Sequence, residues 1–527
     1  MLKFALWANH CLVKPAKKNQ IIDIYPLKLA RFLLFIFFLF LNTLQSKAED
    51  TANDVIFTPK LQRAYFDIQK LRIQSARELI EEERKVNPSN GLIQYLDNYA
   101  DLHYLLISED KKAFKLWSDK EDLRLAALAK LPNSSPYKRF FQAEIRLHWA
   151  FAKMKFGNEV SASWDIIKAY RIAEENRKRF PNFKPNLKTL GLLHVLIGSV
   201  PDNYTWVTKI LGLKGNIKQG IQEIQLVERE EPFFQQETQL IDLLLHAYTL
   251  QLSETQKVLL KELPKNQPDN LLLHFFATTI LMKEGRSEEA LYYLNHGPTG
   301  DDYIDFPFLD YLRGEIALQK GKYDIAFFFY TKFQKRYKGF NYIKDSNLKL
   351  FMSRWLANRD SDAAPYIKLA ASTGSTIIEG DKFALRLSEE FADGKLLPEQ
   401  KILYKSRYAT DGGYLAEAWD FIDNYTERSF NTVSDKAELN YRKGRILQKM
   451  NQIDRAIPYY DRAIFLTQNT SFTFGPSSAL QMGYIMRDKS QNTVAVNYFK
   501  KAMSYKKHEY KNSIDNKAKA ALSELGQ

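Results

Sequence analysis

The sequence predicts an all-α fold on three observations. The 527 residues include only 22 Gly and 18 Pro, and 13% are aromatic, so helix breakers are scarce and bulky packing residues are plentiful. No stretch combines period-two alternation with β-branched enrichment, so no sheet is expected. One apolar stripe at the helical spacing i, i+3, i+4, i+7, i+10 is formed by Tyr323, Ala326, Phe327, Tyr330 and Phe333.

Composition and charge disfavour three other classes of protein. Apolar residues make up 45% of the chain, which is ordinary for a globular protein and too high for a disordered one. A single cysteine cannot form an internal disulfide framework. The formal net charge is +14, but acidic residues are distributed throughout the chain, whereas nucleic-acid-binding proteins concentrate their positive charge. The composition therefore favours a packed helical protein that does not bind nucleic acid.

Two segments, Leu309–Phe333 and Leu439–Ala463, repeat the same pattern. Each has a glycine, an aromatic residue or Ile nine positions later, an alanine three further on, and an aromatic residue four beyond that. The pattern resembles the tetratricopeptide repeat (TPR), in which small residues lie where two helices touch. In the first segment these small residues are Gly314 and Ala326. The resemblance implies a right-handed TPR-like α-solenoid of antiparallel helix pairs.

Six units follow when the chain is aligned on this small residue, which we call the anchor position. The predicted anchors are Thr278, Gly314, Met352, Ser406, Gly444 and Gly483. The predicted partner alanines are Ala290, Ala326, Ala364, Ala418, Ala456 and Ala495. The longest step, from Met352 to Ser406, leaves room for an extra helix, which we expect within Asp381–Ala392.

The array divides the chain into three predicted parts. Residues 1–48 form a leader, residues 49–260 a less regular N-terminal helical domain with degenerate TPR-like units, and residues 261–527 the TPR array. The boundary is placed at Lys261–Asn270, a polar segment with two prolines. A polar helix over about Ser513–Leu525 is expected to cap the array, because solenoid ends face water.

The leader predicts export. Lys28 and Arg31 precede the apolar run Phe32–Leu41, and Ser46-Lys47-Ala48 is a small-x-small pattern that a signal peptidase could cut after Ala48. The run is shorter than the roughly 20 residues that span a bilayer core. The long segment before the run leaves a second interpretation open, in which residues 32–44 anchor the protein to a membrane. The expected location is periplasmic or envelope-associated.

Removing the leader changes the net charge and the number of cysteines. Its net charge of +6 lowers that of the chain from +14 to +8, and Cys11 is lost with it. The remaining chain has no cysteine, so packing alone must stabilise it in an oxidising compartment.

The segment Leu190–Ile221 (LGLLHVLIGSVPDNYTWVTKILGLKGNIKQGI) predicts four features in this order: an apolar helix, a proline, a second helix and a glycine-flanked turn. This order resembles the inclusion-body-clearance family of eukaryotic TPR proteins, found at mitochondrial outer membranes and lipid droplets. Asn216 stands where that family has an acidic residue. The resemblance implies a membrane-associated TPR adaptor at a lipid or outer-membrane surface, with no catalytic residues.

No motif in the sequence indicates an enzyme, a cofactor or a metal site. Gly212, Gly215 and Gly220 lack the Lys-Ser/Thr of a phosphate-binding loop and the strand before it, so they predict a tight turn between helices. The eight histidines are far apart in sequence. Three of them, His194, His246 and His274, lie in leucine-rich segments and are expected to be hydrogen-bonded in the core.

The predicted function is to bind a protein or peptide on the concave face, which the first helices of the pairs line. An extended peptide could lie there with a carboxylate near Arg445 or Arg487. The alternative, left open here, is that these side chains only pack against the neighbouring repeat. The candidate partner-binding residues are Tyr311, Glu315, Tyr441, Arg445, Tyr484 and Arg487.

Overall fold

A computed structural model describes residues 55–200, 211–468 and 470–527. Within these ranges there is no strand, and the predicted all-α solenoid of helix pairs is confirmed. The leader predicted at residues 1–48, with its apolar run and cleavage pattern, lies outside the described residues. Among the helices that are described, none is both long and apolar enough to cross a membrane.

The helices of the N-terminal half are α1 Pro59–Gln69, α2 Ile73–Val86, α3 Gly91–Ser108, α4 Lys111–Leu116, α5 Lys120–Ala129, α6 Pro136–Lys155, α7 Glu159–Arg179, α8 Asn186–Gly198, α9 Ile217–Glu230, α10 Gln235–Tyr248 and α11 Glu254–Asn266. Those of the C-terminal half are α12 Leu271–Lys283, α13 Ser287–Asn295, α14 Phe308–Gln319, α15 Tyr323–Arg336, α16 Ile343–Trp355, α17 Asp360–Ser372, α18 Glu379–Ala392, α19 Gln400–Gly412, α20 Leu415–Asp420, α21 Val433–Lys449, α22 Ile453–Leu466, α23 Phe474–Asp488, α24 Asn492–Ser504 and α25 Lys511–Glu524. A single 3₁₀ turn is described at Glu427–Ser429.

Small anchor residues allow the paired helices to approach. A Cβ added to Gly314 would be 2.8 Å from the Tyr330 ring, and one on Gly444 would be 2.9 Å from the Tyr460 ring. Both tyrosine side chains are completely buried. The predicted reason for glycine at these positions, close contact between the two helices, is therefore what the structure shows.

Two anchors carry a hydroxyl group in place of glycine. Thr278 Oγ1 donates to the Ala290 carbonyl at 3.4 Å, and Ser406 Oγ donates to the Ala418 carbonyl at 3.1 Å. A side chain that bonds across the contact occupies the same narrow space without leaving a buried polar atom unpaired.

Each pair turns through one residue with a positive φ, seven positions after the anchor and five before the alanine. These residues are Gly285, Gly321, Gly413, Asn451 and Ser490, with φ between 59° and 87°. In the unit predicted at Met352 and Ala364 the corresponding residue is Asn358, at φ 60°. Its register is therefore one residue earlier than predicted, with Ala363 completely buried. Ala364, which we expected at the contact, is only half-buried.

The same spacing occurs twice in the N-terminal half, which the sequence suggested was less regular. Leu71 has φ 66° and lies seven residues after Ala64 and five before Ala76. Gly157 has φ 84° and stands in the same relation to Ala150 and Ala162. All four alanines are completely buried, so α1–α2 and α6–α7 are hairpins of the same kind as those of the array.

The predicted extra helix is present as α18, which packs on both α16 and α17. After this three-helix unit the chain returns, and α19 contacts α14 and α12. The contact at its end is backbone on backbone, because a Cβ on Gly413 would be 1.9 Å from the Gly285 carbonyl oxygen. The array is thus tightly wound, with first helices meeting across its inner face.

The two halves of the chain are packed together. Lys519 Nζ in α25 donates to the Val200 carbonyl at 2.6 Å, and Ala520 is buried in an apolar cluster with residues of α7, α8 and α9. At the predicted boundary, Lys261–Asn266 belongs to α11, and Leu260 shares an apolar cluster with α12. Buried packing therefore crosses residue 260.

Candidate functional site

Four cationic side chains meet at one end of the inner face. Lys283 is the last residue of α12, Arg445 and Lys449 lie on α21, and Lys517 lies on α25. We call these four residues the basic cluster. The Lys449 ammonium lies against Gly285, since a Cβ there would be 2.4 Å from Nζ.

The cluster has little compensating negative charge. Within residues 55–200, 211–468 and 470–527, no carboxylate oxygen lies within 4.0 Å of Nζ of Lys283, Lys449 or Lys517. Glu284 and Asp411 act on these lysines only from a greater distance. Arg445 Nη1 donates to amide oxygens, those of Gln481 at 2.7 Å and Gln448 at 2.9 Å, rather than to a carboxylate.

Enclosure and mutual repulsion lower the lysine pKa values. Burial, followed by the charges of Lys283 and Arg445, lowers the pKa of Lys517 to about 8. Burial also lowers the pKa values of Lys283 and Lys449, with a further contribution from Arg445 in each case. The cluster is thus a place where a bound anion would be electrostatically favoured.

Of the predicted partner-binding residues, Arg445 belongs to this cluster, and Tyr484 and Arg487 lie beside it. Burial raises the pKa of Tyr484 while the nearby charges of Arg487 and Arg445 lower it, which places all three side chains in one region. Arg487 Nη1 bonds Glu524 Oε2 at 2.9 Å, and its guanidinium lies 5.2 Å from the Tyr484 ring centroid. Arg487 is therefore already paired with a carboxylate, whereas the partners of Arg445 among the described residues are two amide oxygens and the Tyr460 hydroxyl.

The other three predicted residues are engaged within the array. Tyr311 is only 6% exposed and donates a hydrogen bond to Asp345. Glu315 accepts from Tyr330 and forms an ion pair of 2.8 Å with Lys349. The Tyr441 ring packs 5.9 Å from that of Phe474 in the next unit. Whether any of these six residues contacts a partner stays a prediction.

Sequence reasoning missed the three lysines, although a signal for two of them was present. Lys283 and Lys449 both lie five residues after an anchor, at Thr278 and Gly444, so they occupy equivalent positions in two units. Lys517 lies outside the repeats, on α25, and the packing of that helix against α23, α24 and α9 brings it to the others.

Two cavities lie beside α12, and both are lined mainly by apolar and aromatic side chains, with the ion pair of Glu109 and Lys155 in the wall of the second. One, of about 190 Å³, is lined mainly by residues of α3, α6, α8, α10 and α12. The second, of about 270 Å³, extends towards Phe306, Phe308 and Tyr342. His103, Leu272 and Phe276 line both cavities, so the two adjoin.

A buried ion cluster forms part of the wall of the first cavity. Lys188, with a side chain only 2% exposed, bonds Glu144 at 2.6 Å and Glu237 at 2.8 Å. Tyr65 donates to Glu237 at 2.7 Å. Burial alone would lower the pKa of Lys188, but the two carboxylates raise it above its ordinary value. The ammonium therefore stays charged and balances them.

Glu144, Glu237 and His148 also have ligand atoms within 4.8 Å of one another, an arrangement that could hold a metal ion. The chemistry of the group does not fit one, because the Lys188 ammonium already lies between the carboxylates. Burial and the Lys188 charge lower the pKa of His148 to about 3, so its ring is neutral. We interpret the group as a structural ion cluster.

The glycines singled out in the sequence serve helix contact. A Cβ on Gly220 would be 2.5 Å from the Gly191 carbonyl oxygen, and one on Gly215 would be 2.2 Å from the Gly198 nitrogen. Gly220 thus lies within α9, at its contact with α8, rather than in the tight turn expected there, and residues 201–210 lie outside the described residues. His194 is buried and hydrogen-bonded as expected, to Glu223 at 2.5 Å.

Comparison with known proteins supports one class of protein. A sequence model of the tetratricopeptide repeat matches residues 437–470, which include most of α21 and all of α22. The chain is therefore a helical-repeat protein that contains a tetratricopeptide repeat, an architecture typical of scaffolds that bind other proteins.

More distant comparisons add little. No curated protein matches the sequence. The crystal structure of the APC/C hetero-tetramer Cut9-Hcn1 aligns with 89% of this chain and 99% of its own, at 11% identity and a TM-score of 0.26. At that TM-score the match supports no conclusion about this chain.

Proposed function

We propose that this protein is a non-catalytic scaffold that binds an acidic protein or peptide segment on the inner face of its repeat array. The observation that carries the proposal is the basic cluster, where three lysines lack a carboxylate partner among the described residues. Arg445 belongs to the cluster, and Tyr484 and Arg487 border it and would extend the binding surface. Tyr311, Glu315 and Tyr441 would act behind it, by holding the first helices in place.

A carboxylate bound at this cluster would reduce the electrostatic repulsion between the cations that is already present in the free protein. Four cations are held together, and after burial, which is the larger cause, their repulsion lowers the pKa values of the lysines. Charge-assisted hydrogen bonds from lysine and arginine are shorter and stronger than neutral ones. Electrostatic complementarity of this kind also increases the association rate.

The test is the binding of a fluorescent ten-residue glutamate-rich peptide, followed by anisotropy at low ionic strength. We expect Lys283→Ala/Lys449→Ala to weaken binding at least tenfold, because it removes two of the four charges. Lys500→Ala/Lys501→Ala, in which two exposed lysines of α24 are removed, is the matched control. Equal affinities of the two double variants would overturn the assignment to the inner face.

We also propose that the protein is exported and that a signal peptidase cleaves it between Ala48 and Glu49. The apolar run at residues 32–41 and the small residues Ser46 and Ala48 support this. N-terminal sequencing of the natively expressed protein is expected to begin at Glu49. An uncleaved chain that sediments with membranes would instead support the anchored adaptor that the resemblance of residues 190–221 implies.

A further inference from the structure

Along its length the inner face changes from the apolar cavities to the basic cluster, and α10 runs from one to the other. Glu237, Ile241, Leu244 and Tyr248 follow one another at intervals of four, three and four residues, so they lie on one face of this helix. The first three line the first cavity. The last lies beneath the basic cluster, with Lys283 Nζ 5.4 Å from its ring centroid.

Helix α12 also runs from the apolar cavities to the basic cluster. Leu272 and Phe276 line both cavities, and Lys283 at the end of the helix belongs to the basic cluster. Between them, Thr279 reaches the Tyr248 hydroxyl. At 1.5 Å per residue, Phe276 and Lys283 are about 10 Å apart along the helix axis. The apolar cavities and the cations are therefore neighbouring parts of one surface.

The chemistry of the cavity wall indicates what could occupy it. Besides the ion cluster, whose members are paired with one another, the wall of the first cavity is mainly Leu, Ile and Phe. A peptide main chain buried there would leave N–H and C=O groups unpaired. An alkyl chain has no such groups. Burial lowers the pKa of His103, which lines both cavities, so its ring is neutral and suits an apolar occupant.

Size agrees with this interpretation. Cavities of about 190 Å³ and about 270 Å³ are each smaller than the roughly 300 Å³ of a small ligand site, but joined they exceed it. A single long chain could fill both, because they adjoin at Leu272 and Phe276.

We infer that the two cavities and the basic cluster form one site for an anionic amphiphile. Its alkyl chain lies among α3, α6, α10 and α12, and its carboxylate lies at Lys283 and Lys449. The inference rests on the proposed function in one respect, that the basic cluster binds carboxylates. The same chemistry has two sources: a free fatty acid, or an acyl chain attached to an acidic segment of a partner protein.

The experiment uses the purified full chain with palmitate as probe, below its critical micelle concentration, by isothermal titration calorimetry. We expect saturable binding of one palmitate per chain, with affinity that increases from octanoate to laurate to palmitate. Hexadecanol, which has the chain without the charge, is expected to bind at least tenfold more weakly than palmitate.

Two kinds of variant separate the parts of the site. Leu244→Trp and, independently, Phe276→Trp fill the cavity and are expected to weaken palmitate binding at least tenfold. Lys283→Glu/Lys449→Glu is expected to weaken palmitate binding by a similar factor and to leave the affinity for hexadecanol unchanged. Leu116→Trp, at a side chain 78% exposed, and Lys500→Glu/Lys501→Glu are the controls. Circular dichroism melting curves verify that each variant is folded.

The outcomes distinguish this inference from the proposed function. No saturable palmitate binding, or binding unaffected by both tryptophan variants, would overturn the amphiphile site even if the glutamate-rich peptide still binds. Palmitate binding without peptide binding would support a free fatty acid and overturn the acidic-segment proposal. Tighter binding of an N-palmitoylated glutamate-rich peptide than of palmitate or the bare peptide would identify an acylated partner as the source.

Discussion

Gly314 lies directly against the ring of Tyr330, so close that a Cβ at position 314 would be 2.8 Å from Cε1. The same relation holds between Gly444 and Tyr460, and between Gly483 and Phe499. In each case an aromatic ring from the second helix fills the space that the missing side chain leaves. This contact sets the distance between the paired helices.

Gly314→Ala is therefore expected to destabilise the protein by about 1–3 kcal/mol, the usual cost of overpacking a core. The measurement is urea unfolding followed by circular dichroism. Gly297→Ala serves as the control, because the nearest atom to its added Cβ would be at 3.5 Å, an ordinary contact. A Gly314→Ala protein as stable as Gly297→Ala would contradict this account of the anchor.

Lys188→Met is expected to cost about 3–5 kcal/mol, because it leaves Glu144 and Glu237 buried without a counter-charge. The triple variant Lys188→Met/Glu144→Gln/Glu237→Gln should recover much of the loss, since no buried charge remains. Lys184→Met removes a solvent-exposed ion pair with Glu230 and should leave the urea midpoint unchanged. Absence of any recovery in the triple variant would mean that packing, rather than charge, determines the effect.

Lys517 is expected to titrate with a pKa of about 8, well below the ordinary lysine value. The folded state then binds fewer protons than the unfolded state between about pH 8 and the ordinary lysine pKa of about 10.4, so this group makes stability increase with pH in that window. Lys517→Met should flatten the slope and raise the free energy of unfolding at pH 7 by about 1 kcal/mol after solvent screening. NMR of ¹³C-methylated lysines checks the pKa, and an ordinary value at Lys517 would contradict both its burial and the repulsion within the basic cluster.

Asp381 is expected to give the opposite pH dependence. Its carboxylate accepts from the Tyr342 nitrogen at 2.9 Å and the Asp345 nitrogen at 3.0 Å, at the start of α16. Burial, together with the charge of Asp345, raises its pKa to about 7. The folded state therefore binds more protons than the unfolded state between about pH 4 and 7, and this group lowers stability as pH rises through that window. Asp381→Asn should remove that component, measured as the difference in unfolding free energy between pH 5 and pH 7.

The sequence was informative where one short segment contains the whole relationship. The spacing from Gly314 to Ala326 and on to Tyr330 is visible in a single helix pair, so the fold class and the α18 insertion could be predicted. The unit at Asn358 was misaligned by one residue because Met352 and Ala364 carry no glycine signal, and the left-handed turn that fixes the register is not visible in side-chain pattern alone.

Features that depend on distant packing could not be predicted. Nothing near Lys283 indicates that Lys517, more than 200 residues later, lies beside it. The cavities are likewise formed by helices from both halves of the chain, and α12 alone, with Leu272 and Phe276, looks like any buried helix. Arg445 could be proposed from its position on a first helix, but its partners could not.

The docking of α25 against the N-terminal half has a consequence for how the molecule comes apart. A linear array loses its terminal repeat first, because that repeat has a neighbour on one side only. Here the last helix is held on its other side as well, through Lys519 at the Val200 carbonyl and Ala520 in an apolar cluster. Because α25 is held on both sides, its amide protons should exchange about as slowly as those at the centre of the array.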